Sequence, residues 1–162
     1  MLLVFAGLAG ESRQGLLFLS PENFGDHQTY GDNDERSSIP IHLVRGEDLI
    51  TPHSGRVDFI KIDTQGAEMG VISGMKNLIM RSLPGLKMIV EFWPYGLRRA
   101  GYDGEALLNL LVSFGFAQFY IIRHAQSRLE PVCPADLLEW VRRAEKKPDF
   151  QGFLDLLCEG EN

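Results

Sequence analysis

Three carboxylic side chains, Asp63, Glu68 and Glu91, stand where an open α/β sheet would do chemistry. The segment Val57-Asp-Phe-Ile-Lys-Ile-Asp-Thr-Gln-Gly-Ala-Glu68 reads as a buried strand running straight into a helix. Asp63 ends the strand and Glu68 falls in the first helical turn. Open α/β sheets bind ligands in the crevice beyond the carboxyl ends of their strands. A carboxylate there can orient a hydroxyl, accept a proton or help to hold a metal. Each has a plainer alternative. Asp63 or Thr64 is the natural N-cap, worth about 1 kcal/mol, and Glu68 would gain roughly 0.3–1 kcal/mol from the helix dipole. Glu91 lies near the end of a second apolar stretch, Leu86-Lys-Met-Ile-Val-Glu-Phe92. A charge there must be paired or must sit at the strand's open end. If the strand runs parallel to 58–62, Glu91 falls beside Asp63. Two carboxylates so placed raise one pKa or need a cation between them. The alternative is a salt bridge to Arg98 or Arg99.

Other residues extend this candidate site. Asn23, Asp26 and His27 share a polar loop and are candidate substrate contacts, although a lone loop histidine is more often simply solvated. Trp93 and Tyr95 follow Glu91 and can floor a sugar or aromatic pocket, or pack in the core. Gly66 interrupts a helical pattern at a cost of about 1 kcal/mol against alanine, which points to a ligand or a neighbouring strand close to its backbone. No two histidines have metal-ligand spacing, no Ser/His/Asp order stands out, and no metal site is expected. Gly7-Leu-Ala-Gly10 lacks the G-x-G-x-x-G spacing of a nucleotide turn, and no Walker A sequence is present.

The elements that must position these residues follow from periodicity. Strands are predicted over 2–6, 15–20 and 39–44, with a long polar loop over 21–38 and a short helical turn from Gly46 to Ile50. Pro40 places the third of these strands at an edge. After the strand at 59–62, one helix is predicted from about Gln65 to Arg81. A strand at 86–92 follows, then a helix capped by Asp103 and stopped by Gly115, a strand at 116–122, a helix from Pro134 stopped by Pro148, and a strand at 153–158. Strands joined by helices imply a mainly parallel sheet with right-handed crossovers.

With 162 residues, one domain is expected, divided into a β-rich segment over 1–50 and an alternating strand/helix core over 56–160. The net charge of −6, spread along the chain, argues against nucleic acid or an anionic membrane as partner. No apolar run approaches the ~20 residues of a membrane span, and the apolar start lacks the positive n-region of a signal peptide. Cys133 and Cys158 have no metal-ligand spacing, so a reduced, cytoplasmic protein is the simplest reading.

Residues 57–75 resemble the central motif of FkbM-type methyltransferases: an apolar strand, Lys-Ile-Asp, a variable residue, usually Glu, then Gly-Ala-Glu and a later Gly. The motif falls on Lys61, Asp63, Gly66, Glu68 and Gly74; the usual Glu is Gln65 here. Asn23 to Asp26, Val44 to Leu49 and Glu91-Phe-Trp-Pro94 are similar to the family's flanking stretches. The resemblance implies an α/β Rossmann-like domain and S-adenosylmethionine-dependent methylation of a sugar or small-metabolite hydroxyl. Asp63, Glu68 and Glu91 would be catalytic, and Asn23, Asp26, His27, Trp93 and Tyr95 would bind the acceptor. The family's glycine-rich cofactor turn and acidic ribose contact lie upstream of the matched part, so the resemblance implies a domain truncated at its N-terminus and assigns no cofactor-binding residue. The alternative is a methyltransferase-like binding or assembly module without its own cofactor site. Under either reading an exposed sheet edge predicts a homo-oligomer, pairing through the 1–6 strand.

Overall fold

The computed structural model describes residues 4–31, 36–83, 85–147 and 149–160. In chain order the elements are β1 (Gly7–Ala9), β2 (Arg13–Phe18), β3 (Ser38–Arg45), α1 (Gly46–Ile50), β4 (Phe59–Ile62), α2 (Glu68–Ser73), α3 (Lys76–Ser82) and β5 (Lys87–Phe92). They continue with α4 (Pro94–Arg99), α5 (Gly104–Phe114), β6 (Phe116–Arg123), β7 (Arg128–Val132), α6 (Pro134–Glu145) and β8 (Leu154–Gly160). They form two mixed sheets, a small one ordered β1-β3-β2 and a larger one ordered β4-β5-β8-β6-β7. The core lies between the larger sheet and its helices, where Ile72, Ile79, Met88, Val90, Phe92, Leu107, Leu111 and Leu156 are fully buried.

The expected mainly parallel sheet is corrected. In the larger sheet only β4 and β5 pair in parallel; β5–β8, β8–β6 and β6–β7 are antiparallel. Helical connections do give β4, β5 and β6 a common direction. They do not make β5 and β6 neighbours, because β8 returns antiparallel and inserts between them. The hairpin strand β7 was not read from the sequence at all: Pro131 interrupts its pattern, and an edge position tolerates it.

Other boundaries move for identifiable reasons. The expected strand over 2–6 lies partly outside the described residues, and strand pairing begins only at Gly7, parallel to β3. Part of the 21–38 loop (32–35) and the stop at Pro148 also lie outside them. The Pro40 expectation is corrected too. β3 is the central strand, but β1 pairs with it only at Leu43–Arg45, so at Pro40 β2 is its one neighbour. The single helix expected over 65–81 is two helices. Its break is at Gly74, whose carbonyl accepts the backbone N–H of Glu47 (3.1 Å) from α1. A Cβ at Gly74 would stand 2.2 Å from the Ala9 carbonyl oxygen, so docking of the small sheet requires glycine there. By contrast, α5 begins as read. Asp103 Oδ1 accepts the Ala106 N–H at 2.8 Å, and Gly115 ends the helix in the left-handed conformation.

Candidate functional site

The parallel register sets Ile62 opposite Val90, so the residues that follow, Asp63 and Glu91, emerge side by side at the carboxyl ends of β4 and β5. The antiparallel partner of Glu91 on β8 is Asp155. Three neighbouring strands thus each bring a carboxyl group to one end of the sheet. Asp155 was missed by sequence reasoning, because nothing local shows that β8 lies next to β5. The Asp155 carboxylate meets His124 Nε2 at 2.6 Å.

Gln65 lies between the first two acids. Its Nε2 donates to Asp63 Oδ1 at 3.0 Å and to Glu91 Oε2 at 3.4 Å. Lys61 Nζ pairs with the other oxygen of Asp63 at 2.8 Å. Arg98 and Arg99, the alternative partners weighed for Glu91, lie 5.9 and 5.6 Å from the centre of the Tyr95 ring. Glu91 is half-buried, and loss of solvation pushes its carboxyl up to about 7. The nearby charges of Asp63, Glu68 and Asp155 push the same way, and Lys61 opposes them. No group of His, Cys, Asp and Glu among the described residues has an arrangement that would hold a metal ion.

At Glu68 the expected capping of the helix is corrected. The N-cap of α2 is Ala67, with no side-chain cap, so neither Asp63 nor Thr64 caps it. Glu68 reaches back instead. Its Oε1 accepts from the Thr64 N–H (2.9 Å), the Gly66 N–H (3.1 Å) and the Thr64 hydroxyl (3.2 Å). The residue is completely buried, and desolvation raises its pKa against those hydrogen bonds. It therefore holds the strand-to-helix turn from behind. Gly66 is explained by the same turn. Its φ is +103°, and a Cβ there would lie 2.3 Å from the Gly96 carbonyl oxygen of α4. The close neighbour is thus a helix, neither a ligand nor a strand.

Beyond the acids lies an open cleft of about 410 Å³, with Asn23, Asp26, Gln65, Glu91, Trp93 and Tyr95 among its walls. Five residues singled out from the sequence meet here. Asn23 also caps the short turn Phe24–Asp26, accepting the Gly25 N–H at 3.0 Å. Asp26 pairs with Arg36 at 2.9 Å. Trp93 and Tyr95 tilt against each other with ring centres 5.6 Å apart, and the Trp93 indole N–H donates to the Gln151 carbonyl at 3.1 Å. His27 is not part of this cleft. Its Nδ1 accepts the Ser20 N–H at 3.0 Å, which gives it a loop-bracing role. Arg99, weighed above as a partner for Glu91, also lines the cleft; Arg36, Gln151 and Phe153 complete the walls and were not read from sequence, since each reaches the cleft only through tertiary packing.

The chain matches the family described as the Methyltransferase FkbM domain over residues 3–117, which takes in β1 to α5 and the whole Asp63–Glu91 edge. It belongs to the FkbM methyltransferase family. Comparison with curated proteins and with solved structures gives no match. FkbM methyltransferases typically use S-adenosylmethionine. The cleft offers two carboxyls, three side-chain amides (Asn23, Gln65 and Gln151), two arginines and three aromatic rings. The carboxylate best placed to take a ribose diol, Asp63, is already engaged by Lys61 and Gln65, and Glu68 is buried behind the turn. None of these residues is therefore assigned to the cofactor. Both cysteines are free, Cys158 in the core and Cys133 exposed. No helix among the described residues is long and apolar enough to cross a membrane.

Proposed function

We propose that this FkbM-family chain takes part in S-adenosylmethionine-dependent O-methylation of a sugar or small-metabolite hydroxyl, in the cytoplasm and as a homo-oligomer. One observation carries the reading: a carboxyl held near neutrality, Glu91, faces a cleft walled by Trp93 and Tyr95. A general base works best when its pKa lies near the working pH. The acceptor hydroxyl would donate to Glu91, which would take its proton; S-adenosylmethionine, when bound, would supply the methyl group and leave as its demethylated sulfide. The ring faces of Trp93 and Tyr95 would stack on the apolar face of a sugar, with Asn23 and Asp26 offering hydrogen bonds to its other hydroxyls. Asp63 keeps Glu91 poised rather than acting alone, and Glu68 holds the turn that presents both.

The test is transfer of a labelled methyl group from S-adenosylmethionine to a panel of monosaccharides and hydroxylated metabolites. Transfer that rises with pH through about 7 and falls at least a hundredfold in Glu91→Gln is the expected result. No transfer, together with no calorimetric heat from the cofactor up to millimolar concentration, would overturn it in favour of a binding or assembly module.

A further inference from the structure

The turn between β4 and α2 places one neutral side chain against two acids, and its backbone is fixed from three directions. Gln65 adopts φ +54°, a conformation that non-glycine residues rarely take and that persists only where the surroundings impose it. The surroundings are specific. The Tyr30 hydroxyl donates to the Gln65 carbonyl at 2.7 Å. Glu68 Oε1 binds the N–H groups on either side of Gln65, those of Thr64 and Gly66. The Gly96 carbonyl packs where a Gly66 side chain would be. The outcome is that one amide nitrogen reaches both Asp63 and Glu91.

We propose that Gln65 is a positioning residue whose amide donates one hydrogen to Asp63 and one to Glu91, clamping the two strand-end carboxyls in a single arrangement toward the cleft. The inference rests on the proposed role of Glu91 as acceptor-side base. The chemistry favours an amide over the acid usual at this position in the family. Glutamine supplies two hydrogens from one atom and no charge. A glutamate would set a third carboxyl against two others and could donate to neither while ionised. Two acids at adjacent strand ends need a donor or a cation between them, and here Gln65, with Lys61 on the outer oxygen of Asp63, fills that need. The charged groups around Glu91 include Asp63 and Lys61 from β4 and its end, Glu68 from α2, and Asp155 from β8, which is itself bound to His124; Asp26, Arg36 and Arg99 line the same cleft.

The clamp can be read without any substrate. In the full chain, the Gln65 side-chain amide is followed by ¹⁵N–¹H NMR across the pH range, with backbone spectra reporting the fold. The expected result is a titration of one amide proton with a midpoint near 7, abolished by Glu91→Gln, and a shift of the other proton in Asp63→Ala. An amide shift that stays flat with pH, or that ignores Glu91→Gln in a folded protein, would overturn the clamp. Gln65→Ala then separates clamp from catalysis. In the methyl-transfer assay kcat should fall about tenfold or more with KM within about twofold, as expected for a misplaced reacting group. An unchanged kcat would overturn the positioning role. Absence of transfer by the unaltered chain would instead sink the methylation reading, while the NMR result would still decide the clamp.

Discussion

Glu91 shows how one residue's surroundings decide its chemistry. The same carboxyl in water would be ionised well below neutrality; at the end of β5 it faces three other acids and is half withdrawn from solvent. It therefore holds its proton more tightly in the folded chain than in the unfolded one. A group with a raised folded-state pKa contributes stability that is fully present below its unfolded value, 4.5, and is lost as pH rises through about 7. Glu91→Gln removes that dependence. The unfolding free energy of the unaltered chain, taken from melting curves, should fall relative to that of the variant between about pH 4.5 and pH 8, by on the order of 1–2 kcal/mol after solvent screening. Parallel melting curves over that range would show that the folded environment does not perturb Glu91. Its meeting with Asp63 was legible in the sequence because two parallel strands of known length place their ends together. Asp155 was not legible, since only the tertiary position of β8 brings it there.

At the level of elements, reading the sequence succeeded where the signal was local and failed where a neighbour set the outcome. Asp103 and Gly115 bracket α5 through hydrogen bonds and a backbone conformation confined to a few residues, and that helix lies where its residues predict. The α2–α3 pair looked continuous because Met69, Ile72, Met75, Leu78 and Ile79 keep helical spacing through the break. The break is imposed from outside, by β1 and α1 meeting Gly74. The start of α2 reverses the usual capping: a side chain inside the helix secures the turn before it. This has a measurable consequence. Glu68→Ala leaves the half-buried Thr64 and the buried Gly66 N–H groups without their acceptor and should cost about 3 kcal/mol in urea unfolding. Glu68→Gln keeps an oxygen at that position and removes a poorly solvated charge, so its cost should be less than about 1 kcal/mol. Equal losses in the two variants would mean that packing volume, and not the hydrogen bonds of Oε1, holds the turn.

Among the described residues both sheets end in outer strands, and only the Phe18 end of β2 gains a further backbone partner, Gln28. In the larger sheet β4 is terminal, and Phe59 on it is 58% exposed; in the small sheet β2 is terminal and carries exposed Leu16. A terminal strand offers unpaired backbone groups as a template for another strand, and charge or proline usually blunts it. β4, Phe59-Ile-Lys-Ile62, has no proline and one charge, Lys61, which is already paired with Asp63. The exposed Phe59 ring is the type of apolar group that self-association buries. The homo-oligomer proposal is therefore better placed on β4 than on the 1–6 segment, whose described part forms no strand before Gly7. Sedimentation velocity at tens of micromolar should give a species of at least twice the 18.2 kDa chain mass. Phe59→Glu, at an exposed position where folding tolerates a charge, should shift it to monomer with the circular dichroism spectrum unchanged. A monodisperse monomer for the unaltered chain would sink self-association, and an oligomer indifferent to Phe59→Glu would move the interface away from β4. Because β4 ends in Asp63, pairing at this edge would also set a second chain beside the candidate site, so the rate of methyl transfer per chain should depend on protein concentration across the same range.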